Sequence, residues 1–177
     1  MTFPIHDPAY QLPGFSLRIL TESDKPQMMA LQDEVLALLS DPRWYFPSEE
    51  WEFDSWLAGR EAVAYMDGGR IAGYAVISPW LIRGEHAYAN VLGHPAENTF
   101  DFHDVLVRPE YRGRGMHTLF LRLFTQTVRA EGGRAIYATV DPENTASWHN
   151  FEKAGYACLL TQPAYDGRIR RYYRLKL

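Results

Sequence analysis

Arg112 and Arg114 alternate with Gly113 and Gly115 in the segment Pro109-Glu110-Tyr111-Arg112-Gly113-Arg114-Gly115. A strand-like run over residues 100–107 precedes it, and an amphipathic helical pattern follows from Met116. Glycines let a backbone turn tightly and present successive amides, and a helix N-terminus adds orphan N–H donors at the positive end of its dipole. The two guanidinium groups add charge and forked donors. A diphosphate is the natural ligand of such a loop; an exposed turn is the plainer alternative. Two nucleotide fingerprints are excluded directly. The dinucleotide pattern needs a third glycine where Thr118 stands, and the Gly-Lys-Ser/Thr of a phosphate-binding P-loop is absent.

A second segment, Asn144-Thr145-Ala146-Ser147-Trp148-His149-Asn150-Phe151-Glu152-Lys153-Ala154-Gly155-Tyr156, lies downstream. Together the two resemble a known family. Val105 through Gly115 resembles motif A of the GNAT superfamily of acyl-CoA N-acyltransferases, whose core is Arg/Gln-x-x-Gly-x-Gly/Ala after a strand and a Val-x-Pro turn. Asn144 through Tyr156 resembles motif B, which commonly runs Asn, then Ala or Ser, then Tyr-Glu-Lys-x-Gly-Phe. The resemblance spans about residues 100–160, in the right order and at suitable separation.

The resemblance implies a ligand and a pose. Acetyl-CoA would be the cosubstrate. Its pantetheine arm would meet backbone at Val105, Leu106 and Val107. Its pyrophosphate would meet Arg112, Gly113, Arg114, Gly115, Met116, His117 and Thr118. Asn144, Ser147 and Phe151 would lie near the same ligand. Two positions depart from the family pattern. His117 replaces the last Gly/Ala of motif A, which is tolerable if the contacts come from backbone amides. Phe151 replaces the motif B tyrosine that in many members protonates the departing thiolate. That role is therefore not carried over, and solvent could supply the proton, since thiols titrate near pH ~8.5.

Acyl transfer to an amine needs the neutral amine, so a general base is useful, and histidine is suited to it. His103 sits in Asp101-Phe102-His103-Asp104-Val105, and strand alternation puts Asp101, His103, Val105 and Val107 on one face. A histidine at this spacing before motif A is also the pattern of the arylalkylamine branch of the family. A half-buried structural histidine is the other reading. Asp104 points to the opposite face unless a bulge intervenes, and is the second candidate. His149 suits an exposed helix surface, and Tyr172 and Tyr173 suit strand packing, although one of the two could reach an acceptor. His6, His86 and His94 show no ligand spacing with cysteines or acids, so no metal is expected.

These residues need a scaffold, and the pattern supplies one. Residues 1–15 carry Pro4, Pro8 and Pro13 and read as an extended lead-in. Residues 16–20 suit a strand. Thr21-Glu22-Ser23-Asp24 opens a helix carrying Met28, Leu31, Val35, Leu38 and Leu39, ended by Asp41-Pro42. Pro47-Ser48-Glu49-Glu50 opens a second helix with Trp51, Trp56 and Leu57. Strands follow at 62–66 and 71–77 around Asp67-Gly68-Gly69. Residues 83–100 show no period and read as a long connection. The helix from Met116 carries Leu119, Phe120, Leu123, Phe124, Thr127 and Val128, and Glu131-Gly132-Gly133 caps it. A strand over 135–140, a helix from Asn144 or Thr145 to Gly155, and strands over 156–161 and 169–177 complete the chain. The order is β-α-α-β-β-β-α-β-α-β-β. It predicts one α/β domain over 1–177: a mixed, mostly antiparallel sheet of about seven strands flanked by about four helices.

Composition agrees with a folded domain and bounds its partners. Of 177 residues, 46% are hydrophobic and 14% aromatic, enough for a sizeable core. A net charge of −4 offers no broad attraction to nucleic acid. No run approaches the ~20 apolar residues of a membrane span, and the N-terminus lacks a secretory pattern, so a cytoplasmic location is expected. Cys158 is the sole cysteine, lies in an apolar run and reads as buried and inert. Trp44, Tyr45, Phe46, Trp51, Trp56, Trp80, Tyr88 and Tyr165 fall in the regions where the family builds its acceptor pocket. They suit a compact, partly apolar amine, or equally a core and a dimer surface; a homodimer is left open. The expected function is acetyl transfer from acetyl-CoA to a primary amine of a small molecule. The alternatives are a non-catalytic acyl-CoA sensor, a longer acyl group, or a protein amine.

Overall fold

A computed structural model describes residues 1–80, 87–164 and 166–177, so His86 and Tyr165 lie outside the described residues. The chain divides into two compact units, residues 1–76 with 104–127 and residues 77–103 with 128–177. The strands are β1 (Ser16–Ile19), β2 (Ala62–Asp67), β3 (Arg70–Pro79), β4 (Thr99–Val107), β5 (Ala135–Val140), β6 (Ala157–Ala164) and β7 (Arg168–Lys176); their hydrogen-bonded order is β1-β2-β3-β4-β5-β7-β6, the seven-stranded mixed sheet expected from the element order.

In the first unit, β1 (Ser16–Ile19) pairs antiparallel with β2 (Ala62–Asp67), and β2 with β3 (Arg70–Pro79). Gly68 takes the positive φ that the β2–β3 turn requires. Helix α1 (Lys25–Leu38) follows Thr21, whose N–H donates to the Asp24 carboxylate at 2.9 Å. The acid that satisfies this orphan donor is itself held by both guanidinium nitrogens of Arg18, at 2.7 and 2.6 Å. Met28, Leu31 and Val35 of α1 and Phe53, Trp56 and Leu57 of α2 (Glu50–Ala58) form a core with Ala62, Ala64, Ile71, Tyr74, Val76 and Leu106. Two expected core residues stand outside it. Leu38 is 61% exposed because the helix ends there, and Trp51 is 59% exposed on the outer face of α2. Gly73 matters for packing: a Cβ there would come within 2.9 Å of the Leu106 carbonyl oxygen, so the backbones approach as only glycine permits.

The second unit holds a short helix α3 (Tyr88–Val91) inside what the sequence presents as a structureless connection. One turn of helix has too few residues to show a period. Strand β4 (Thr99–Val107) pairs parallel with β5 (Ala135–Val140) over Thr99 to Phe102. Strand β7 (Arg168–Lys176) pairs antiparallel with β5 and with β6 (Ala157–Ala164). Cys158 is exposed on β6, which corrects the expectation of burial. Strand β6 borders only β7, so its apolar run does not imply cover on both faces. Helix α4 (Met116–Ala130), which belongs to the first unit as far as Thr127, buries Met116, Phe120, Leu121, Leu123, Phe124 and Val128. Helix α5 (Thr145–Lys153) follows β5. Among the described residues no helix is long and apolar enough to cross a membrane, and no three His, Cys, Asp or Glu side chains group to hold a metal.

Candidate functional site

The loop between β4 and α4 has the build of an anion cradle. Gly113 and Gly115 have φ of 76° and 86°, a backbone region that L side chains rarely occupy. A Cβ at either would meet nothing within 4 Å, so the space above them is open. Residues 112–115 are all exposed. The first turn of α4 closes with Leu119 N–H donating to Gly115 O at 3.0 Å, so the amides of Gly115, Met116 and Thr118 lie ahead of the first α-helical hydrogen bond. Arg112 differs: its N–H closes the preceding turn on Pro109 O at 3.2 Å, and its Nε donates to Val107 O at 3.3 Å. The Met116 side chain is buried, leaving its amide as the part a ligand can use. His117 is half-buried with Nε2 shut off from solvent, and burial drives its pKa down to about 4. The ring is thus neutral and interior, which explains how this loop accommodates a side chain where the family pattern has glycine or alanine. Arg114 lies over two rings, Phe15 and Tyr111, at 5.7 Å from each centroid.

Leu106 is 4% exposed and belongs to the core, while Val105 and Val107 are half-buried, as strand alternation requires. Asp104, on the Leu106 face, is 5% exposed. Its Oδ2 accepts from the hydroxyls of Tyr45 at 2.7 Å and Ser48 at 3.1 Å. Gln32 completes the group. Its Oε1 lies 2.9 Å from the Tyr45 hydroxyl and accepts from Ser48 N–H at 2.8 Å, while its Nε2 donates to Ser48 O at 3.0 Å. The buried Tyr74 hydroxyl lies near this carboxylate without a properly formed hydrogen bond. Burial, reinforced by the Asp104 charge, pushes the phenols of Tyr45 and Tyr74 well above their ordinary range. Gln32, Ser48 and Tyr74 were not apparent from sequence. The one available signal was a glutamine inside the apolar stripe of α1.

In the second unit, Asp101 is fully buried and its Oδ2 accepts from Tyr88 N–H at 3.0 Å. His103 is half-buried, with its ring 6.2 Å from that of Tyr88. Tyr88 in turn meets Tyr172 edge to face at 6.2 Å. Asn144 caps α5, its side-chain oxygen accepting from Ser147 N–H at 3.1 Å, so the cap uses Oδ1 and leaves Nδ2 as the donor for a ligand. Phe151 is 2% exposed and packs against Phe102, Tyr156 and Tyr173 at 5.3, 5.1 and 6.0 Å. The phenol missing at 151 stands instead at 156. The Tyr156 hydroxyl is buried without a hydrogen-bond partner, and desolvation raises its pKa so far that it is a poor acid. The aromatics expected near an acceptor are dispersed. Trp56 is core, Trp51 and Phe46 are exposed, and Tyr45 is bound to Asp104.

Open glycines, helix N-terminal amides and two arginines fit the diphosphate of an acyl-CoA. The model of the acetyltransferase (GNAT) family matches residues 30–156. No curated protein sequence matches the chain. Solved structures share its fold. An N-acetyltransferase from Staphylococcus aureus Mu50 has 20% identity and a TM-score of 0.69, over 92% of this chain and 98% of that one. The Salmonella typhimurium protein yncA, solved with its cofactor acetyl-CoA, has 19% identity and a TM-score of 0.67 over 93% and 94%. The ribosomal-protein-S18-alanine N-acetyltransferase of Escherichia coli has 17% identity and a TM-score of 0.66 over 92% and 93%. With the family matched over most of its length, this chain belongs to the GNAT acetyltransferases, acyl-CoA-dependent N-acetyltransferases with acetyl-CoA as cosubstrate.

Proposed function

We propose that this chain transfers the acetyl group of acetyl-CoA directly to the primary amine of a small molecule, with His103 as the general base. The observation that carries the cosubstrate side is the exposed 112–115 loop, with open space above both glycines, running into the N-terminus of α4. Asn144 Nδ2, Ser147 and the backbone of Val105, Leu106 and Val107 are proposed further contacts. In the reaction His103 takes a proton from the attacking amine nitrogen, the nitrogen bonds to the thioester carbonyl carbon, and the C–S bond breaks. The thiolate takes its proton from solvent, because Phe151 has no hydroxyl and Tyr156 is a poor acid. His103 is preferred to Asp104 because the carboxylate is 5% exposed and already accepts from two hydroxyls.

The test is the pH dependence of acetylation across a panel of small amines and amine-bearing peptides, for the native chain and His103→Ala. Loss of a general base costs typically 10²–10⁴-fold. The deficit is expected at neutral pH and below, closing as pH nears the pKa of the amine and free nucleophile becomes abundant. A parallel profile would remove His103 from the mechanism. Binding of acetyl-CoA with no transfer to any amine would make the chain a sensor.

A further inference from the structure

The phosphate loop is braced from outside both motifs, by Phe15 and Asp67 acting on Tyr111 and Arg114. The register Ser16↔Met66 puts Phe15 across from Asp67 at the end of the β1–β2 pair. Asp67 accepts from the Tyr111 hydroxyl at 2.6 Å, which ties the aromatic residue of the loop to the same strand end. Phe15 and Tyr111 meet edge to face, with centroids 5.3 Å apart at 87°. The Arg114 guanidinium lies 5.7 Å from both rings. Phe15 is itself fixed: its N–H donates to Leu12 O at 3.0 Å across a turn in which Gly14 takes φ of 84°. The rest of the lead-in is anchored too, through Tyr65 Oη donating to Tyr10 O at 2.7 Å and the Phe3 ring against Phe124 at 5.6 Å.

We propose that Phe15 and Tyr111 are positioning residues that hold Arg114 for the diphosphate of acetyl-CoA, so that the N-terminal lead-in contributes to cosubstrate affinity. This rests on the phosphate-loop reading above. An arginine side chain carries about 2 kcal/mol of rotamer entropy, and a prior contact removes part of what binding must otherwise spend. A contact through ring faces leaves the in-plane N–H fork to the anion. Arg114 is otherwise exposed, and its only described ring partners are these two.

The experiment is steady-state kinetics in acetyl-CoA on the full chain. Phe15→Leu keeps apolar bulk and removes the ring. It should raise the KM for acetyl-CoA about fivefold with little change in kcat. Phe15→Trp should restore it. Phe15→Leu combined with Arg114→Gln should be no worse than Arg114→Gln alone, because the ring acts only through the arginine. Where Phe15→Leu lowers Tm, Tyr111→Leu reads the same contact from the loop side and must reproduce the KM change. Additive effects of the pair, or an unchanged KM in both single-ring variants, would overturn the proposal. Gly115→Asp separates the two levels. If it abolishes acetyl-CoA binding while ring removal is silent, only the bracing fails; if it binds normally, the phosphate-loop reading fails as well.

Discussion

The first unit contains two polar centres built to opposite specifications. The 112–115 loop is exposed, its glycines face open space, and it leads into the N-terminal amides of α4. The Asp104 group is buried, and its carboxylate is already met by two hydroxyls that arrive from 59 and 56 residues away in sequence. Donors in the open cost little while water serves them, and they become binding energy when an anion replaces that water. Filled acceptors in the interior bind nothing new; they fix where the connection between α1 and α2 runs. On the proposed reading one centre serves the ligand and the other serves the fold, although both are polar clusters at strand β4.

The sharpest way to break this comparison is to alter each centre and read both stability and ligand response. Gly115→Asp should have the largest effect. It puts a negative side chain on a φ of 86° where the diphosphate is to sit. Native chain at a hundredfold excess of acetyl-CoA over its Kd should gain about 2.7 kcal/mol in thermal unfolding, and the variant should gain nothing. Strain at the positive φ should cost the unliganded variant about 1 kcal/mol. A normal ligand response would mean that this loop is only a turn.

Asp104→Ala should give the reverse pattern. The Ser48 hydroxyl loses its carboxylate acceptor and the Tyr45 hydroxyl falls back on Gln32 Oε1 at 2.9 Å, so the lost charge-assisted bonds should cost about 3 kcal/mol together. A loss of about 3 kcal/mol would lower Tm by roughly 10 °C in a chain of this size. Asp104→Asn keeps one acceptor oxygen and should lose less. In both variants the gain in stability on adding acetyl-CoA should survive. If instead Asp104→Asn folds as well as the native chain but loses turnover along the low-pH limb, the carboxylate is the base and His103 is not.

The same contrast explains what was legible in the sequence. The turn and helix start of the loop were readable because their signals are local: glycine, arginine and a helix start lie within seven residues. The element order along the chain and most element ends were readable for a similar reason, since Pro, Gly and the helix-start acids act on their immediate neighbours. The Asp104 group was not readable, because Gln32, Tyr45, Ser48 and Tyr74 come together only through tertiary packing. Phe15 escaped notice at the end of a proline-bearing lead-in, since its role depends on the β1–β2 register. Cys158 was misread because an apolar run does not tell whether a strand is covered on both faces.

His117 sits where the two kinds of environment meet, and it offers the smallest and most selective test. Its amide belongs to the exposed loop while its ring nitrogen is shut away from solvent. Burial lowers its pKa from 6.5 to about 4, so between those values the unfolded chain holds a proton that the folded chain does not. The stability tied to this group is therefore present above about pH 6.5 and is lost as pH falls toward 4. With the residue partly exposed, the loss should be about 2 kcal/mol. The measurement is the denaturant midpoint at pH 7.5 and pH 4.5, for the native chain and for His117→Ala. Carboxylates titrate in both proteins, so the difference between the two slopes isolates the imidazole. The variant should lose less stability on acidification and should still bind acetyl-CoA, because the loop offers backbone there. Equal slopes would mean that the ring takes its proton without unfolding. A variant that keeps its slope difference but no longer binds acetyl-CoA would move His117 from the interior to the ligand side of the comparison.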